Sequence, residues 1–164
     1  MAGRITASDD QLRPDPQHND ITLSKFINYV MYDGKKSVAQ RVVYDSLSMI
    51  DERLAKATDP DAPQNALEVF HMAVENAKPY VEVRSKRVGG ANYQVPIQVN
   101  KKRQQALAFR WIINAARSER GRPMAQRLAD ELVACAKKEG KAIQTREQTH
   151  RMAEANKAFA HFAR

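Results

Sequence analysis

The sequence is poor in cysteine and in long apolar runs, and both absences restrict what the protein can be. Its one cysteine, Cys135, has no partner for an internal disulfide, which excludes a disulfide-framed secreted domain and favours a reducing compartment. No apolar run approaches the roughly 20 residues that a membrane-spanning helix needs. The first twenty residues are acidic and contain no apolar stretch of the kind found in signal peptides. We therefore expect a soluble, cytoplasmic protein with no membrane partner.

Groups that support catalysis are equally scarce. Metal-ligand spacing is absent from the four histidines, which are His18, His71, His150 and His161. Cys135 shares a helical stripe with Leu128 and Leu132, where a buried core residue is much commoner than a nucleophile. The Gly89-Gly90 pair follows a strand pattern without a helix after it, so it lacks the context of a phosphate-binding loop. We predict no enzyme, no metal site, no cofactor and no small-molecule substrate.

Acidic residues are nearly missing from the middle of the chain. The 164 residues carry a net charge of +8, which suggests an anionic partner but does not identify it. From Arg84 to Arg122 there are ten lysines and arginines against one acid, Glu119, so this segment alone carries +9. Residues 1–20 hold two arginines and four aspartates and carry −2. Because a solvated face normally mixes signs, this distribution favours contact with nucleic acid.

Three segments before residue 80 show apolar residues at helical spacing. The first lies between Asp20 and Gly34. The second runs from Gly34 to a polar loop at 58–63, and the third from about Gln64 until Pro79 prevents its continuation. The side chains expected to face the core are Leu23, Phe26, Ile27, Val30 and Met31; Val38, Val42, Leu47, Ile50 and Leu54; and Leu67, Phe70, Ala73, Val74 and Ala77.

From Tyr80 the period changes to two, which predicts a β-hairpin arm at about 80–99 with its turn at 89–92. Val81 and Val83 share one parity, and charged residues take the other. Pro96 cannot donate a ladder hydrogen bond, and no further strand pattern exists to cover it. We therefore expect the ribbon to stand alone, to protrude from a helical body and to become ordered on a partner.

Three more helices are predicted after the hairpin, at about Lys102 to Ser118, from near Pro123 to Gly140, and at about Thr145 to His161. Thr145 and Gln148 suggest a capping box at the start of the last one. The side chains expected inside are Leu107, Trp111 and Ile112; Met124, Leu128, Leu132 and Cys135; and Met152, Ala155, Phe159 and Phe162. The predicted fold is mainly α, a bundle of six helices with a protruding two-stranded β-ribbon between helices three and four. An extended tail at 1–19 would precede a single domain at 20–162.

Cations recur every seven residues on the fourth helix, at Arg103, Arg110 and Arg117. Because seven residues are close to two turns, these side chains can follow a phosphate backbone at intervals of roughly 10 Å. Lys101 and Lys102 continue the stripe towards the arm. Along the ribbon it continues through three further cations, which are Arg84, Lys86 and Arg87. Neutralising about six to ten phosphates would make binding fall ~10³- to 10⁵-fold between 50 and 200 mM salt.

Two further positions stay open from the residues alone. Tyr93 beside the turn could stack on an unpaired base or pack on Arg87 or Val88. Lys35 and Lys36 follow Gly34 and would favour the C-terminal end of helix one, and they could also bind a phosphate.

Two other functions compete with RNA binding. A DNA-architectural protein also uses β-ribbon arms, with an apolar residue such as Pro96 wedged between base steps. A hydrolase would use Cys135 and a histidine. Preference for structured RNA over duplex DNA separates the first, and an inert Cys135→Ser variant eliminates the second.

Four stretches resemble a known family: KFINYVMYDGKKSVA (25–39), PYVEVRSKRVGGANYQVPIQV (79–99), ALAFRWIINAAR (106–117) and RMAEANKAFAHF (151–162). They closely resemble small-subunit ribosomal protein seven of the bacterial type, in order and with compatible spacing from Arg13 to Phe162. The resemblance implies six helices with an inserted ribbon. It also implies primary binding to the 3′ domain of small-subunit (16S) rRNA, with nucleation of head assembly. Implied neighbours are mRNA, exit-site tRNA and the ninth, eleventh and thirteenth small-subunit proteins.

The positions carried over from the matched motifs are Lys35, Lys36, Arg84, Lys86, Arg87, Tyr93, Arg110, Arg117, Arg151 and Lys157. With the residues of the basic segment added, those predicted to bind RNA fall into two groups. For rRNA they are Lys35, Lys36, Lys101, Lys102, Arg103, Arg110, Arg117, Arg120, Arg122, Arg151 and Lys157. On the arm they are Arg84, Lys86, Arg87, Gly89, Gly90 and Tyr93. The chain departs from the family in its acidic start, where only Arg4 and Arg13 are basic, so no N-terminal rRNA contacts are assigned. It also departs in a longer segment at 55–63, which we expect to be a surface excursion.

Overall fold

The computed structural model describes residues 12–56 and 63–163, which form six α-helices, a two-stranded antiparallel sheet and a C-terminal 3₁₀ helix. The helices are α1 (Ile21–Val30), α2 (Lys36–Leu54), α3 (Ala66–Ala77), α4 (Lys101–Ser118), α5 (Met124–Ala136) and α6 (Lys141–Ala155); the strands are β1 (Val81–Val88) and β2 (Ala91–Gln98), and the 3₁₀ helix is Lys157–Ala163. The mainly α fold with a hairpin between the third and fourth helices is confirmed. Residues 1–11 of the predicted tail and residues 57–62 of the predicted loop lie outside the described residues.

The segment before α1 folds against α2. The hydroxyl of Tyr44 donates to the carboxylate of Asp15 over 2.6 Å, and the backbone N–H groups of Gln17 and His18 donate to the same carboxylate. Burial, together with the Asp15 carboxylate, raises the pKa of Tyr44 to about 12. Asp15 is thus a buried anchor, and its neighbours form a turn.

Helix α1 begins where the sequence predicts and ends earlier. The Asp20 carboxylate accepts from the N–H of Leu23, which satisfies one of the free N–H groups of the first turn. The helix ends at Val30, four residues before Gly34, because the chain turns through positive φ at Asp33 and Gly34. Lys35 is consequently the N-cap of α2. Lys35 and Lys36 thus lie at the N-terminal end of α2, and the prediction that they follow directly on the end of helix one is wrong.

The core lies between helices α1 to α5 and also includes Ala142 and Ile143 of α6. Phe26 meets Phe70 and Phe109 edge to face, with ring centroids 5.2 and 5.3 Å apart, and all three rings are buried. Each such pair stabilises the fold by about 0.5–1.5 kcal/mol beyond the contribution of the apolar area that it buries. Phe109 had not been predicted as a core residue.

Helix α2 shows the one register error among the first three helices. Its buried apolar stripe runs through Ala39, Val43, Leu47 and Ile50, at spacings of four, four and three residues. Val38, predicted to be inside, is 45% exposed because it lies one position, about 100°, off that stripe.

Helices α5 and α6 meet at a different place from the one predicted. Helix α5 ends at Ala136, Lys138 takes a positive φ of 64°, and Gly140 is the N-cap of α6. Buried Glu131 accepts from the N–H of Ala142 over 2.8 Å, and so replaces the side-chain cap that glycine lacks.

The predicted last helix is therefore wrong at both ends. Thr145 lies inside α6 and its hydroxyl donates to the carbonyl of Lys141, so there is no capping box. Met152 and Ala155 were predicted inside but lie exposed, because Ala153 takes the inward position. Beyond Ala155 the chain tightens into the 3₁₀ helix.

The hairpin turn is shorter than predicted. Gly89 and Gly90 form the whole turn with φ values of 57° and 88°, and Val88 pairs with Ala91. Glycine is required here because two successive positive φ angles are costly for other residues. As predicted, no third strand joins the sheet in the described residues. The ribbon is nevertheless not isolated from the body, because β1 packs against α6, β2 packs against the 3₁₀ helix, and Val95 is fully buried.

Candidate nucleic-acid interface

The root of the ribbon is organised around one buried acid. Glu82 is 6% exposed, although it belongs to the parity predicted to be charged and outward. Its Oε2 accepts from Nε and Nη2 of Arg103 over 3.0 and 2.9 Å, and its Oε1 contacts Arg84. Arg103 thus ties α4 to β1, while Arg84 pairs with Glu82 within the strand.

The upper half of the ribbon is braced by the C-terminal 3₁₀ helix. The ring of Tyr93 packs against Phe159 and Phe162, with centroid distances of 5.1 Å in both pairs. Opposite Tyr93 in the register, Lys86 donates from Nζ to the carbonyl of Phe162 over 2.7 Å. Neither environment foreseen for Tyr93 is the one observed, because its ring packs on residues 66 and 69 positions later in the sequence.

The three arginines of the α4 stripe have three different environments. Arg103 is committed to Glu82. Arg117 donates from Nη2 to the carbonyl of Val30 over 3.0 Å, at the end of α1 where the helix dipole is negative. Arg110 is exposed and has no hydrogen-bond or ion-pair partner in the described parts of the chain.

The other predicted cations divide in the same way. Arg122 pairs with Glu119 and Asp130, Lys157 lies 3.5 Å from Glu154, and Arg151 lies 3.8 Å from Glu147. Lys102 is exposed but is not free, because it already takes part in an interaction within the chain. Within residues 12–56 and 63–163, the exposed cations of the predicted sets whose side chains make no hydrogen bond or ion pair are Lys35, Lys36, Arg87, Lys101, Arg110 and Arg120. An anionic partner can bind these six side chains without breaking an existing ion pair.

Three residues important to this surface were missed from the sequence. Glu82 carried a usable signal, since it is the one acid in a strand with three cations and shares a strand face with Arg84, two residues on. Phe159 was assigned to a helix core and not to the ribbon. Tyr32, which is 71% exposed beside Lys35, was not considered at all.

Cys135 lies in the core, as predicted. Its side chain is fully buried and its thiol donates to Oε1 of Glu131 over 3.2 Å. Burial, reinforced by the Glu131 carboxylate, raises the pKa of the Cys135 thiol well above its usual range. A nucleophilic cysteine needs the thiolate, so the geometry gives the hydrolase alternative no support.

Two other features were sought among the described residues, a metal site and a membrane-spanning helix. No three histidine, cysteine or acidic side chains there lie close enough to hold a metal ion. Among the described helices, none combines the length and apolar character required to cross a bilayer.

Comparisons with known proteins agree on one family. The model of the family described as ribosomal protein S7p/S5e matches residues 2–157. The small ribosomal subunit protein uS7 of Rhodopirellula baltica is 61% identical over 161 residues, which cover 98% of this chain and 99% of that protein. The uS7 proteins of Thermotoga neapolitana and Rhodospirillum centenum are 52% and 51% identical, and these matches cover 97% and 99% of both chains.

Proposed function

Since the chain belongs to the ribosomal protein S7p/S5e family and is a small-subunit ribosomal protein, not an enzyme, we propose that its body is a primary binder of the 3′ domain of 16S rRNA. Binding there nucleates assembly of the subunit head. The ribbon lies near mRNA and exit-site tRNA, and the neighbours are the ninth, eleventh and thirteenth small-subunit proteins. The protein acts in the cytoplasm, as part of the ribosome.

The observation that carries this proposal is the set of six exposed cations without partners. An arginine or lysine that already holds a carboxylate must give up that ion pair before it contacts a phosphate, whereas an unpaired one exchanges only water and counterions. Five of the six lie on the helical body or its connections, and only Arg87 lies on the ribbon. Contacts from the body alone therefore suffice for affinity towards a folded RNA.

The ion pairs and hydrogen bonds of the ribbon suggest that the body and the ribbon tip have different roles. Arg84 and Arg103 are held by Glu82 at the ribbon's root, and Lys86 is held by the C-terminal segment. These residues position the ribbon, while Arg87 at its tip stays uncommitted. The body thus supplies primary binding, and the tip meets what passes beside it.

The first test is equilibrium binding of the full chain to a 3′-domain fragment of small-subunit rRNA, over a salt series and against duplex DNA of equal length. We expect tight, steeply salt-dependent binding that survives DNA competition. Equal affinity for the DNA would instead support a β-ribbon DNA-architectural protein and contradict the proposal.

Variants then locate the contacts. The combined change Lys35→Gln, Lys36→Gln and Arg110→Gln should weaken binding and lower the salt slope by about 0.7–0.9 for each lost phosphate contact. The matched control removes three charges elsewhere, by combining Lys56→Gln, Lys137→Gln and Lys138→Gln at exposed cations whose side chains have no partner in the described chain. An equal loss in the control would mean that only overall charge matters.

The ribbon is tested separately by shortening its tip. Removing Arg87, Val88, Ala91 and Asn92 leaves the Gly89-Gly90 turn to join Lys86 directly to Tyr93, so the pair that contacts the 3₁₀ helix is kept. We expect unchanged binding to the 3′-domain fragment and weakened exit-site tRNA binding in reconstituted subunits. Loss of primary binding would refute the assignment of different roles to the body and the tip.

A further inference from the structure

A small depression opens beside the connection between α1 and α2. Its volume is about 140 Å³, and it is lined by Val30, Tyr32, Lys35, Val38, Ala39, Val42, Arg117 and Met124. Pockets for small-molecule substrates hold roughly 300–1,000 Å³. This depression therefore has room for a single planar ring and not for a substrate-sized molecule.

Tyr32 is the one tyrosine whose ring is unengaged. Of the five tyrosines, all within the described residues, the other four have partners: Tyr29 packs on Phe109, Tyr44 donates to Asp15, Tyr80 stacks on His150 and Tyr93 packs on Phe159. The side chain of Tyr32 has no ring contact or hydrogen bond in the described chain, and the residue is 71% exposed. Next to it, Val38 presents an exposed apolar side chain.

The rim of the depression is positive. Lys35 and Arg117 line it, and no acidic residue does. The bond from Arg117 to the Val30 carbonyl fixes its guanidinium there, while Lys35 is unpaired in the described chain. The acid of the connecting loop, Asp33, is not among the lining residues.

We infer that this depression receives one unstacked nucleotide of RNA, with its base against the ring of Tyr32 and the apolar floor and its phosphate at Lys35 and Arg117. Unpaired bases in RNA are recognised by stacking on aromatic rings beside cations that hold the backbone. An apolar peptide is a poorer occupant, because it would cover both cations without neutralising them. The inference rests on the proposed rRNA binding and adds to it a site for a single-stranded nucleotide.

Three substitutions separate the ring from the charge. Tyr32→Leu keeps apolar bulk and removes the ring, so affinity for the 3′-domain fragment should fall about 5- to 150-fold, the effect of one stacked base, at an unchanged salt slope. Tyr32→Phe keeps the ring and should bind like the parent chain. Lys35→Gln should lower the slope by about 0.7–0.9. Because Tyr32 is exposed, none of its variants should alter the thermal unfolding midpoint.

The matched control is Tyr80→Leu, the same substitution at a tyrosine of similar exposure outside the depression. Ultraviolet cross-linking of the complex with mass spectrometry provides a direct readout, in which a nucleotide should be attached to Tyr32. If the parent chain binds the fragment and Tyr32→Leu binds as well as the parent, or no worse than Tyr80→Leu, the inference is overturned while the proposed function stands. If the parent chain shows no preference for the rRNA fragment, both fail.

Discussion

Replacing Glu82 by glutamine should lower stability and raise RNA affinity together. Glutamine keeps the shape and one acceptor oxygen but removes the charge that holds Arg84 and Arg103. Both arginine side chains retain access to water, so no cation is left buried, and the ~3–5 kcal/mol typical of a broken buried pair does not apply. The loss should be about 1–2 kcal/mol, at the lower end for charge-assisted hydrogen bonds because solvent screens the arginines.

For a chain of this size the loss corresponds to a fall of about 2–8 °C in the thermal unfolding midpoint. The opposite sign is expected in RNA binding, because Arg103 is released from its carboxylate and becomes available to a phosphate. The slope of log affinity against log salt should steepen by about 0.7–0.9 if one more phosphate is contacted. Calorimetry and the salt series with the 3′-domain fragment measure the two effects.

Glu75→Gln is the control, since it makes the same change of charge at an exposed glutamate paired only with Lys78. Pairs of this kind contribute about 0–1 kcal/mol. If Glu82→Gln unfolds at the same temperature as Glu75→Gln, Glu82 is not the anchor of the ribbon. If it unfolds earlier but its salt slope is unchanged, the arginines it holds are not withheld from RNA.

Three other perturbations test separate parts of the fold. Gly140→Ala would place a Cβ 2.6 Å from Oε1 of Glu131, so unfolding should become easier by about 1–3 kcal/mol in a denaturant titration, and a neutral result would deny the close packing. His150 accepts a hydrogen bond from the N–H of Tyr80, and burial, followed by the charge of Arg146, lowers the pKa of His150 below the ordinary 6.5. Its contribution to stability is therefore present above pH 6.5 and is lost as the pH falls through the lowered pKa. An NMR titration that gave His150 a pKa above 6.5 would contradict this. Tyr93→Ala should speed amide hydrogen exchange in β2 without changing exchange in α1. Equal exchange in β2 of the variant and of the parent chain would show that the aromatic contacts do not stabilise the ribbon.

Local spacing predicted the helices well where one stripe of large apolar residues dominates. Helix α1 is the clearest example, because Leu23, Phe26, Ile27 and Val30 are all buried as expected. The hairpin was predicted equally well, because alternating apolar and polar residues on both sides of Gly89-Gly90 are compatible with few other structures. Periodicity did less well in the alanine-rich end of the chain, where many registers bury similar area.

The errors at the candidate interface have a different origin. Whether Arg103 or Arg110 is available to a phosphate depends on Glu82, which lies 21 residues from Arg103 in sequence. The surroundings of Tyr93 depend on two phenylalanines at the end of the chain. Gly140 was mistaken for a helix stop because the acid that caps the next helix, Glu131, acts through tertiary packing. Contacts between distant residues decide each case, and a sequence pattern does not encode them.

The contact between Lys86 and the carbonyl of Phe162 joins positions 76 residues apart. A chain is synthesised from its N-terminus, so the ribbon emerges well before the segment that braces it. Helices α2 and α3 gain their main partner when α5 emerges, whereas the ribbon acquires its final packing only when Phe159 and Phe162 follow. Its shape therefore depends on completed synthesis, and a prematurely terminated chain would keep most of the body while presenting an unbraced arm.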